Sequence, residues 1–167
     1  MNTNSLMALL PREMTELRYQ PLFMFQIEVK PPNVIGATPG YDRRVGEIAG
    51  GRFEGERLRG KILSGGSDWQ SLRSDGTTTL NVRLVMETDD GALIGMTYLG
   101  MRHGPKEVMD RMTRGENVSP SEYYMRATPY YETASEKYGW LNRIVSVAYG
   151  HRMSGEQSTR SSRSSNY

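Results

Sequence analysis

Apolar and polar residues alternate along much of this chain with a period of two, the signature of strands with one face buried. In PLFMFQIEVKPP the residues Phe23, Phe25, Ile27 and Val29 fall on one side, and the double proline ends the strand. DRRVGEIAGG reads as a short strand followed by a turn at Gly50-Gly51. The segments GERLRGKILS, DWQSLRS, TTTLNVRLVMETD and ALIGMTYLGM are rich in β-branched residues and are separated by Gly65-Gly66, Asp75-Gly76 and Asp90-Gly91. Such dipeptides tolerate positive φ and suit two-residue hairpin turns. One segment breaks the period: in GPKEVMDRMTRG, Val108 and Met112 share a helical face, Pro105 suits the first turn and Gly115 the end. SEYYMRA, PYYET and NRIVSVAYG return to strand character. The pattern predicts an all-β fold with one short α-helix at about 105–114. Its sheet is an antiparallel up-and-down, calyx-like (lipocalin-like) β-barrel, because closure removes the exposed edges of a meander.

Two-residue turns fix a register. Asp68 then faces Arg83, and Arg83 faces Tyr98, so the three form one row across adjacent strands with Gln70 and Asn81 in the next row. The other face collects Trp69, Val82 and Leu99 beside Leu80, Leu84 and Met86. Either the polar row is solvated, and its ion pair contributes about 0–1 kcal/mol, or it lines a lumen, where a buried Asp–Arg pair signals use.

Charge and composition narrow the partners. The net charge of +2 resides entirely in HRMSGEQSTRSSRSSNY, leaving residues 1–150 with eighteen charges of each sign. A nucleic-acid-binding body carries a basic stripe, and none is visible. The expected organisation is a single barrel domain over 1–150, with 1–18 as an N-terminal extension and 151–167 as a flexible Ser/Arg-rich tail. No apolar run reaches the roughly 20 residues of a membrane span, and the start has no basic signal region, so a cytoplasmic protein is expected. Absence of cysteine removes disulfides and thiolate chemistry, and two histidines cannot build a three-histidine zinc cage in one chain. No strand-to-helix phosphate loop and no nucleophile elbow occur. The expectation is therefore no cofactor and no metal. The eleven methionines, among them Met86, Met96, Met101 and Met125, read as adaptable core or lining.

The blocks GGRFEGERLRGKILSGGSDWQSLRSDG, ETDDGALI, PSEYYMRATPYYET and YGWLNR, in that order, resemble the family catalogued as domain of unknown function 3237. The resemblance covers about residues 20–150 and implies a small antiparallel barrel. The family pattern falls on Gly65, Gly66, Asp68, Trp69, Arg83, Asp89, Asp90 and Gly91, then on Tyr123, Tyr124, Arg126, Pro129, Glu132, Trp140, Leu141 and Asn142. Its inclusion of Asp68 and Arg83 favours the lumen. Family members close with a further strand, whereas EQSTRSSRSSNY has almost no strand character.

Carboxylates, arginines and phenols around rings suit cofactor-independent acid–base chemistry on a small apolar or aromatic carbonyl-type metabolite: isomerisation, hydration–dehydration or cyclisation. The candidate catalytic set is Asp68, Arg83, Tyr124 and Arg126, with Tyr124 and Arg126 placed inward beside Thr128. Trp69, Tyr98, Tyr131, Glu132, Trp140 and Asn142 are the candidate substrate contacts. Two other classes stand beside the enzyme: a non-catalytic carrier of small hydrophobic ligands, and an interaction protein whose barrel has no cavity. The expected partners are a small organic ligand and a second copy in a homodimer, with neither nucleic acid nor membrane.

Overall fold

The computed structural model describes residues 5–152 and 157–165. Two single-turn 3-10 segments, Leu6–Leu9 and Arg12–Met14, precede the barrel and bury no side chain. The strands are β1 (Tyr19–Val29), β2 (Asn33–Ala37), β3 (Asp42–Glu54), β4 (Arg59–Ile62), β5 (Gly66–Leu72), β6 (Thr78–Thr88) and β7 (Leu93–His103). The helix α1 (Lys106–Thr113) follows, then β8 (Tyr124–Glu132), a 3-10 turn at Gly139–Arg143, β9 (Val145–Arg152) and β10 (Gln157–Ser165). The strand pairings of the described residues are antiparallel, and the sheet closes on itself because β1 pairs with β3 along one edge and with β10 along the other. The expected barrel and its single helix are both present.

The strand β3 holds the barrel's corner. Its first half, Asp42–Ile48, pairs with β5, and its second half, Gly51–Glu54, pairs with β4. The sequence reading puts a turn at Gly50-Gly51, but β3 continues through both. A glycine is required there because a Cβ on Gly51 would lie 2.1 Å from the Gln26 carbonyl oxygen of β1. Glycine in mid-strand thus marks a bend and a close backbone approach.

Hairpin loops are where the expected register fails. Arg73 N–H donates to Thr77 O, and Thr88 N–H donates to Ala92 O, so each loop holds three residues rather than two. Gly76 and Gly91 adopt φ of 80° and 84°, and no other residue type among those described has positive φ. A two-residue type I′ turn needs positive φ at both central residues, and Asp75 and Asp90 do not adopt it here; the loops are type I turns closed by a glycine in the left-handed region. Each pairing therefore moves by one residue, and one residue exchanges the faces. Asp68 lies opposite Val82, and Val82 opposite Tyr98, while Arg83 lies opposite Ser67 and Thr97.

A second difference lies at the end of the chain. The segment expected as a flexible tail contributes β10, whose backbone pairs with β1 over nine residue pairs and with β9 over eight. Low side-chain β-propensity does not prevent this, since the two flanking edges supply ladder partners on both sides and pairing closes the barrel.

The core fills one half of the lumen. Phe23, Phe25, Ile27, Ile48, Val82, Met86, Met96 and Tyr98 interlock there, with Phe23 ringed by Phe25, Phe53 and Tyr131 at centroid distances of 5.7–5.9 Å. At the other end, α1 lies over the opening and packs Met112, Val108 and Met109 against Leu80, Tyr123 and Met125.

Candidate active site

Three successive inward rows lead from the apolar plug to the mouth under α1. The first holds Gly46, Asp68, Val82 and Tyr98; the second Arg44, Gln70, Leu80 and Gly100; the third Asp42, Leu72, Thr78 and Arg102. The period of two along β3, β5 and β7 thus stacks two carboxylates and two guanidiniums on one interior wall. A cavity of about 480 Å³ opens there, lined by Asp42, Arg44, Gln70, Thr78, Arg102 and the α1 residue Met109, among others. Asp68 lies one row deeper than the lining residue Gln70, 2% exposed and behind the cavity wall, with its Oδ2 accepting a 2.9 Å hydrogen bond from Gln70 Nε2.

The two arginines differ. Arg44 lies 3.5 Å from Asp42, a loose ion pair. Arg102 makes no ion pair within 4 Å among the described residues, and its Nε is buried without a hydrogen-bond partner. Burial holds the Arg102 guanidinium below its ordinary pKa; Arg152 adds repulsion and Asp68 pulls the other way. A guanidinium nonetheless stays protonated, so Arg102 lines the cavity with a buried Nε–H that lacks an acceptor. Just before β8, the Tyr123 hydroxyl accepts a 2.9 Å bond from Arg152 N–H and lies 3.2 Å from His151 Nδ1.

Of the candidate residues named from sequence, Asp68 and Tyr98 share the interior, and Tyr131 also faces inward within the core. Arg83 is exposed on the outer face. Trp69 is outside as well, 44% exposed, with the Arg43 guanidinium 5.6 Å from its ring. Tyr124 and Arg126, expected inward, point outward: Tyr124 stacks on His103 at 4.9 Å, and Arg126 lies 3.9 Å from the Tyr149 ring. The alternate residues Met125, Ala127, Pro129 and Tyr131 take the interior, since that set is the apolar one. Glu132 is exposed beside Gly95. Trp140 packs on the core edge under Arg57, whose guanidinium sits 3.7 Å above the ring. Asn142 exchanges two 2.9 Å hydrogen bonds with the Thr133 backbone and so holds a loop.

The mouth residues that sequence reasoning missed are Asp42, Arg44 and Arg102. With three-residue loops at Ser74–Gly76 and Asp89–Gly91, counting by twos from Asp68 leads across the sheet to Tyr98 and then to Arg102, whereas Asp42 and Arg44 follow only from the β3–β5 register. Among the described residues no group of three or more His, Asp or Glu side chains converges as a metal site. No helix of the described residues is long and apolar enough to cross a membrane.

Comparison with known proteins agrees with this architecture. A UPF0311 protein of Clostridium acetobutylicum is 36% identical over 139 residues, covering 83% of this chain and 88% of that protein. A crystal structure described as a beta-barrel like protein from Acinetobacter baumannii superposes with a TM-score of 0.79 at 36% identity, covering 90% of this chain and 97% of that one. An enzyme from Penicillium herquei superposes with a TM-score of 0.67 at 18% identity, over 90% of this chain and 95% of that one, a likeness of fold. The family model described as Protein of unknown function (DUF3237) matches residues 17–163, and the chain belongs to that family.

Proposed function

We propose that the chain is a cofactor-independent acid–base enzyme whose chemistry takes place at the barrel mouth. The observation that carries this reading is the placement of Asp68 and Arg102 on one interior wall beside a cavity of about 480 Å³. Asp68 is the proton carrier, oriented by Gln70. Arg102 takes the part first given to Arg83: its buried donors stabilise the oxyanion that develops when a carbon next to a carbonyl loses its proton. In that step the C–H bond breaks, Asp68 accepts the proton and the electron pair moves onto the carbonyl oxygen beside Arg102. Return of the proton to a different carbon gives an isomer; loss of a β-hydroxyl as water gives a dehydration.

The apolar plug beyond Asp68 restricts the ligand to something small, and polar side chains dominate the mouth. A compact carbonyl or oxo-acid metabolite therefore fits better than a large aromatic skeleton. That a barrel of this fold is described as an enzyme in Penicillium herquei is compatible with catalysis on such a scaffold, without indicating the reaction. The presence of a cavity weighs against a purely structural barrel, and the Asp42 carboxylate in its lining, with Asp68 behind Gln70, weighs against a passive hydrophobic carrier.

The test is deuterium uptake from D2O into a panel of small enones, 2-oxo acids and β-diketones, followed by proton NMR. Wild type is expected to exchange at least one member, and Asp68→Asn to lose on the order of 10²-fold or more of that rate. Equal rates in the two proteins, or no exchange above buffer with any member, contradict the reading.

A further inference from the structure

The outer face of β5–β9 is unlike the wall of a solvated barrel. Trp69, Leu99, Met101, Tyr124, Val147 and Tyr149 stand there side by side, each 40–56% exposed, around a groove of about 750 Å³. Tyr130 and Val145 extend the apolar surface at 60% and 57% exposure. Together these side chains leave roughly 700 Å² open, near the ~800 Å² that each partner contributes to a standard protein interface. A patch of that size on a soluble protein marks a contact surface.

A second unpartnered apolar element belongs to the same chain. Leu6, Met7, Leu9, Met14 and Leu17, ahead of β1, are 68–83% exposed, and neither 3-10 turn buries a side chain on its own barrel. The charged residues lining the groove are Arg43 and Arg126, and the net-neutral segment carries Glu13 and Glu16 between Arg12 and Arg18. The segment leaves the barrel at Tyr19, which pairs with Ser165, itself paired with Val145 at the margin of the apolar face. Folded alone, the chain leaves both groove and segment uncovered.

We infer that the groove receives the N-terminal segment of a second copy, reciprocally, so that two chains form an isologous dimer. Residues Leu6–Leu9 fill the groove over Leu99 and Val147, and Glu13 and Glu16 meet Arg43 and Arg126 at its rim. The pairing is isologous because each copy supplies one segment and one groove. This assignment is independent of the chemistry proposed for the mouth, since every residue it uses lies outside the barrel.

Sedimentation equilibrium of the full chain tests it. Wild type is expected at twice the 18.9 kDa chain mass. Leu6→Asp with Leu9→Asp, and separately Leu99→Asp with Val147→Asp, are each expected to raise the dimer dissociation constant at least tenfold. The segment variant keeps the test decisive if the groove variant loses its native circular dichroism, because the segment has no buried side chain to lose. A monomeric wild type overturns the inference, whether the groove holds the chain's own segment, a foreign protein or nothing. So does a segment variant that dimerises as tightly as wild type.

Discussion

Single residues here are decided by which side of one strand they occupy. Reading Asp68 and Tyr98 as lumen partners was possible from sequence because both keep their face under any uniform shift of the two hairpins. Arg83 was not, because it belongs to the central strand that both hairpins share, and a one-residue shift in each moves it to the outside. The same residue scale explains Gly51. A Cβ there would meet backbone, not a movable side chain, so Gly51→Ala is expected to destabilise the barrel by about 2–4 kcal/mol. Gly40 has open space around it and an ordinary φ, so Gly40→Ala is expected to stay within about 0.5 kcal/mol of wild type. Urea midpoints at unchanged slope measure both; equal midpoints would mean that the β1–β3 approach is loose.

At the scale of elements, strand existence was legible and loop length was not. Alternation in β1 and β6 and the helical spacing of Val108 and Met112 are side-chain patterns, which sequence displays directly. Whether Asp-Gly makes a two- or three-residue loop depends on which residue takes positive φ, and composition leaves that open. The loops themselves are testable. Gly76 at φ 80° has no neighbour within 4 Å, so Gly76→Ala is expected to cost about 1 kcal/mol through conformation alone.

The β6–β7 loop also ties a distant segment. The Lys137 ammonium and the Thr88 hydroxyl, with Tyr138, hold the Asp90 carboxyl at about 2, below its ordinary 3.8. A depressed carboxyl contributes stability that is complete above pH ~4 and is lost as pH falls toward 2. Asp90→Asn is therefore expected to lower the melting temperature at pH 7 and to converge with wild type near pH 2. A gap that persists unchanged between those pH values would contradict the tie.

For the whole molecule, closure and polarity are the two features that matter. Closure depends on β10, a Ser- and Arg-rich segment that no propensity scale marks as a strand; tertiary pairing on both edges overrides it. Truncation after Arg152 exposes the edges of β1 and β9, so the shortened chain is expected to melt lower and to aggregate on concentration, seen by light scattering. Polarity is divided: an apolar plug with a polar mouth inside, and an apolar belt outside. The sequence pattern conveyed that faces differ without conveying which arginine belongs to which. That assignment is the centre of the account, and the exchange assay applied to two arginine variants tests it most directly. Arg102→Met is expected to lose on the order of 10²-fold in rate, as removal of an oxyanion donor does, while Arg83→Met stays within about twofold of wild type. A full-rate Arg102→Met, or an inactive but folded Arg83→Met, would place the chemistry on the other face.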